Sequence, residues 1–93
     1  MNQHNVLIRH YSDQSIGVHA RKDVGENNID IHKSWAEAAP DVMSETYQKI
    51  RNGELVKVET VITGLSKADA QAAKRYLISY FQNQGITVIN PNS

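Results

Sequence analysis

NVLIRHYSDQSIGVHAR, Asn5 to Arg21, decides how this chain folds. Val6, Ile8 and His10 alternate with Leu7, Arg9 and Tyr11. Ser12, Asp13 and Gln14 break the run. From Ser15 the alternation resumes, with Ile16, Val18 and Ala20 set against His19 and Arg21. Two period-2 runs joined by three polar residues predict a β-hairpin. Placing Tyr11 opposite Ser15 sets Ile8 opposite Val18 and His10 opposite Ile16. That register gathers Val6, Ile8, Ile16, Val18 and Ala20 on a buried face. Arg9, Tyr11, His19 and Arg21 gather on the other face, which is expected to meet solvent. A slip of one residue would undo the sorting, so the register is well specified.

Beyond the hairpin, Asp23 to Asn28 is a polar loop containing Gly25. Ile29 and Ile31 alternate, so Asn28 to His32 is expected to be extended. Ser34 and Glu37 have capping-box spacing, which predicts a short helix from Trp35. Pro40 breaks it, and Asp41 offers a second cap. Met43, Tyr47 and Ile50 then share one helical face, and Asn52-Gly53 is a stop signal. Glu54 to Thr63 alternates again, with Val56, Val58, Thr60 and Ile62 on one side, and predicts a third strand ended by Gly64. Ser66, three residues before Asp69, caps a helix running to about Asn83, with Leu65 stapled to Ala70. Its apolar stripe is Ala70, Ala73, Leu77 and Phe81. Gln84-Gly85 stops it, and Ile86 to Ile89 is a fourth strand or a buried tail. The fold class is therefore α+β: an antiparallel sheet from the N-terminal hairpin plus a third strand, with helices packed on one face.

The 93 residues suit one domain, 1–93. Ten basic side chains balance ten acidic ones, which argues against coating nucleic acid by bulk charge. The chain has no cysteine, so disulfides, thiolate metal sites and thiol nucleophiles are excluded. No apolar run approaches the roughly 20 residues of a membrane span, and the N-terminus lacks a signal-peptide core. A cytoplasmic protein that does not engage a membrane is expected.

The hairpin's polar face carries the main candidates. Arg9, Tyr11, His19 and Arg21, joined by Lys57 from the third strand, form a phosphate-compatible patch. Arginine grips a phosphate with parallel hydrogen bonds, and tyrosine stacks or donates. The bland account is a solvated sheet face that is polar in any case. His10, His19, His32 and Asp30 offer metal-ligand chemistry, but their spacing fits no metal motif, so no metal is expected. No Gly-x-Ser-x-Gly, Walker or dinucleotide motif is present, and no cofactor is expected. Trp35 beside the Pro40 break, and Tyr76 with Tyr80 on the last helix, are candidates for a protein interface, including a homodimer.

The element order, with VKVETVITGLSKADAQAAKRYLISYFQNQGITVIN (Val56 to Asn90) as third strand, helix and closing asparagine, resembles the GIY-YIG nuclease domain. Ile16-Gly17-Val18 resembles the tail of that family's second motif. The resemblance implies the same fold over nearly the whole chain. The motifs depart from the family. Asn5-Val6-Leu7 has neither glycine nor tyrosine where the first motif falls, and Ser15 stands where the second motif has tyrosine. Ala72-Ala73-Lys74-Arg75 occupies the region of the helix glutamate that binds the divalent metal. Arg21 lies near the family arginine, out of clear register. Without the glutamate, metal-assisted phosphodiester cleavage should fail. The resemblance thus implies a catalytically silent relative. Two functions follow: a nucleic-acid-associated domain binding the phosphate backbone through its basic hairpin face, or a small protein-binding inhibitor or adaptor of the kind a mobile element would encode. An active enzyme is the least favoured.

Overall fold

The computed structural model describes residues 3–23 and 29–89. The loop expected over Asp23 to Asn28 therefore lies mostly outside the described residues, as does Asn90. Strands β1 (His4–Tyr11) and β2 (Ile16–Lys22) form the hairpin. Their register pairs Ile8 with Val18, His10 with Ile16 and Val6 with Ala20, as the alternation requires. At the turn, the Tyr11 amide donates to the Ser15 carbonyl at 3.1 Å, and Asp13 Oδ1 accepts from the Ser15 amide at 3.0 Å. Strand β3 (Leu55–Leu65) pairs antiparallel with β1, giving the order β2-β1-β3. The class is α+β, with three helices among the described residues about this three-stranded antiparallel sheet.

The helices divide between the two faces. Helix α3 (Lys67–Asn83) covers the face of Val6, Ile8, Ile16 and Val18, docking Ala70 and Ile78 there. Ser66 caps it, its hydroxyl accepting from the Asp69 amide at 3.1 Å. Leu65 packs against the cluster that contains Ala70, so the staple forms as well. Helices α1 (Ile29–Ala38) and α2 (Glu45–Arg51) cover the opposite face, where Tyr11, Ala36, Ile50, Leu55 and Ile89 form a second core. The face expected to be solvated is thus buried: Arg9 and Tyr11 are each only 3 % exposed. The apolar run Val6-Leu7-Ile8 agrees with this, because a strand covered on both faces needs no polar side.

Three further expectations are corrected. Residues 29–32 are helical rather than extended, and Ser34 lies inside α1 instead of capping it. Docking decides this: a helix buries His32 and Ala36 on one side while Ser34 between them stays exposed, whereas a strand would put all three on one face. Helix α2 starts at Glu45 under a Ser44 cap rather than at Asp41, leaving Met43 exposed ahead of it. Arg51 fixes that connection, donating from Nε to the Ala36 carbonyl at 3.1 Å and from Nη2 to that of Val42 at 2.6 Å. In β3 the shared face fails. Register shifts set Val58 against the second core and Ile62 against the first. An extra residue in one strand reverses every side chain beyond it. Gly64, at φ +72, sits in one such shift, between the Val6–Ile62 and His4–Leu65 pairs, so the strand continues through it. After Gly85, Val88 and Ile89 are buried, and among the described residues the segment meets the sheet by one parallel bridge, Ile16 to Val88.

Candidate anion-binding pocket

Arg9 lies on the central strand, opposite Gly17 on one side and Val58 on the other, so its guanidinium is held within the second core. Nε donates to His32 Nδ1 at 2.8 Å. Nη1 lies 3.0 Å from His19 Nε2. A guanidinium only donates, so both ring nitrogens accept. This assigns His19 the Nδ1–H tautomer and His32 the Nε2–H tautomer, both neutral. Burial, and after it the positive charge of Arg9, pushes His19 down to about 2 and His32 down to about 4. Burial likewise lowers Arg9, with Tyr11 opposing the shift and Arg21 adding to it. The Tyr11 phenol is raised by the same burial.

Gly17 makes room for this arrangement. A Cβ at Gly17 would stand 3.0 Å from His19 Nε2 and 3.6 Å from the Tyr11 hydroxyl. The second helical layer completes it. Trp35 of α1 stacks near His32, ring centroids 5.0 Å apart, and the Arg21 guanidinium lies 4.3 Å above the Trp35 ring. From the other side α3 contributes Lys74, 8 % exposed and lowered by burial and by Arg75.

These groups meet at the edge of β2. Arg9, His19, Ala20 and Arg21 from the hairpin, Ser44, Thr46 and Tyr47 from the start of α2, and Gln71 and Lys74 from α3 line a pocket of about 350 Å³. Three cations reach it, and among the described residues no carboxylate does. Lys49 pairs with Asp13 and Glu54 away from this pocket, and His10 shares a hydrogen bond with Glu59. Lys74 has neither an ion pair nor a hydrogen-bond partner among the described residues. Buried charge is costly unless paired, so these cations are poised for an anion. Hydroxyls and an amide beside them add neutral hydrogen bonds. A second pocket of about 370 Å³, beside the hairpin turn, mixes His10 and Asp13 with Phe81 and Ile86 and concentrates no charge.

Of the residues singled out from the sequence, Arg9, Tyr11, His19 and Arg21 do come together, but beneath a helical layer. Lys57 does not join them. It sits on β3, the edge away from β2, opposite His10. Trp35 is half-buried and engaged by Arg21 within the chain. Tyr76 and Tyr80 stay 69 % and 47 % exposed on α3. Sequence reasoning offered His32 only as a candidate metal ligand and missed Lys74. For Lys74 the signal was present: it lies between Ala70 and Ile78 at four-residue spacing, a lysine in a buried helical row. For His32 the signal was its four-residue spacing to Ala36, hidden by the Ile29–Ile31 alternation.

No helix among the described residues is long and apolar enough to cross a membrane. No protein-family model, no curated protein and no solved structure matches this chain.

Proposed function

We propose that this chain is a binding domain for a phosphate-bearing ligand, with nucleic acid the ligand class that its basic hairpin suggests, and that it performs no chemistry on that ligand. One observation carries the reading: Arg9, Arg21 and Lys74 converge on one pocket that no carboxylate of the described residues lines. Arginine offers a planar fork and lysine a point charge, the usual pairing for phosphate oxygens. The absence of catalysis follows from the same charges. Three cations repel a divalent metal, and Lys74 lies in the region where the resembled nuclease family keeps its metal-binding glutamate. The burial of Arg9 changes the mode of binding from the one expected: the ligand enters a pocket rather than lying along an open strand face.

The test is calorimetric titration with inorganic phosphate and with short single- and double-stranded oligonucleotides at low salt. Binding is expected, weakening as salt rises. Arg21→Ala, which removes a partly exposed cation, is expected to weaken it roughly tenfold, the scale of one charge-assisted contact. No binding of any of these at low salt would refute the reading.

A second reading has its own observation. Tyr76 and Tyr80 lie exposed in adjacent turns of α3, as a protein interface would require. In its homodimer form it predicts association that Tyr80→Ala disrupts while phosphate binding persists. A chain that light scattering finds monomeric at high concentration excludes that form.

A further inference from the structure

We infer that the pocket takes a terminal phosphate monoester, as on a nucleoside monophosphate or a phosphorylated strand end, and not an internal phosphodiester. The inference rests on the phosphate-binding reading and deepens it. Arg9 is 3 % exposed and Lys74 8 % exposed, so only a group projecting into the pocket can touch both. An internal phosphodiester carries a sugar on each side. Bringing its phosphorus to Arg9 would bury both flanks in a space of about 350 Å³, near the lower limit for small-molecule sites. A monoester hangs from a single bond and enters phosphate first.

Charge and donor count point the same way. A phosphate monoester carries roughly 1.5 to 2 negative charges near neutrality and has three strong acceptor oxygens. A diester has one charge and two free oxygens. The pocket supplies three cations from three directions: Arg9 from the sheet, Arg21 from the strand edge and Lys74 from α3. Three convergent cations overmatch a diester and suit a monoester. The pocket also has one aromatic wall. Tyr47, half-buried at the start of α2, offers a ring face to the sugar or base attached to the phosphate.

The probes are a nucleoside 5′-monophosphate, its unphosphorylated nucleoside, and one single-stranded decamer bearing a 5′-phosphate, a 3′-phosphate or hydroxyls at both ends. Calorimetry on the intact chain at fixed salt gives each affinity. The expected result is that the nucleotide, or a phosphorylated decamer, binds at least tenfold more tightly than the decamer with hydroxyl ends, and that the nucleoside does not bind. Equal affinity for nucleotide and phosphorylated decamer supports the inference with a free nucleotide as the source. A tighter phosphorylated decamer supports it with a strand end as the source. Lys74→Gln, checked for its fold by circular dichroism, should erase the preference. If the hydroxyl-ended decamer binds as tightly as the phosphorylated ones, the inference fails while phosphate binding by the domain stands. If no probe binds, both fail.

Discussion

Moving this protein from pH 7 to pH 5 is expected to lower its unfolding free energy by about 2 kcal/mol for each of His19 and His32. Each imidazole accepts a hydrogen bond from the Arg9 guanidinium, and neither can do so when protonated. Their folded pKa values lie far below the ordinary histidine value, at about 2 for His19 and about 4 for His32. In the unfolded chain both titrate near about 6.5. Below that pH the unfolded state binds protons that the folded state refuses, so stability falls as the solution is acidified. The contribution is fully present above about 6.5 and is lost progressively down to the folded values. Most carboxylates titrate below the pH 7 to 5 window, which isolates the histidines. Urea unfolding at the two pH values, in chloride without phosphate, measures the effect. A chain this size has little stability to spare, so the loss is a large fraction of the whole. His32→Gln keeps an acceptor that does not titrate and should remove about half of the pH dependence. Unfolding free energies that stay flat between pH 7 and 5 would show that the imidazoles are not the neutral acceptors described.

The same residues show where the sequence was legible. The three-residue break at Ser12 to Gln14 set Tyr11 opposite Ser15, and alternation from Val6 to Ala20 excluded a slip of one residue, so the hairpin register was legible to the residue. Ser66, Asp69 and Leu65 marked the start of α3 for a local reason, since a cap is written in neighbouring residues. The second face was misread because its cover is not local. Arg9, His19 and Arg21 look like solvated residues until α1 and α2 fold back over them, and their own alternation does not record that they do. Leu7, fully buried between Val6 and Ile8, was the one hint that both faces are covered. The bulged register of β3 was illegible for a related reason. A bulge appears in the pairing with β1, not in the alternation of β3 alone. The candidate site sits where these nonlocal elements meet, so the sequence supplied two of its three cations and none of its concavity.

Lys74→Glu should separate a ligand pocket from a merely structural cluster of cations. The substitution removes one of three convergent cations and places a carboxylate beside Arg9 and Arg21. Reversing a charge within a few ångströms of the ligand, at the effective dielectric of a pocket that opens to solvent, is worth roughly 2 to 4 kcal/mol after screening, so phosphate binding should fall on the order of 100-fold. Stability should move the other way or hold. Lys74 is buried, depressed by desolvation and repelled by Arg75, whereas a carboxylate gains the guanidinium partners that the wild-type pocket lacks. Ligand-free melting temperature and phosphate affinity, measured on one preparation, test both halves. A pocket that exists to bind an anion sacrifices stability when empty, so improved stability with lost binding is its expected signature. A variant that binds phosphate as tightly as the wild type would put the anion elsewhere. A variant that unfolds would show that the Lys74 stem is needed to pack Ala70 and Ile78 against the sheet. In that event Lys74→Met, which keeps the apolar stem without the charge, should restore the fold and still fail to bind phosphate.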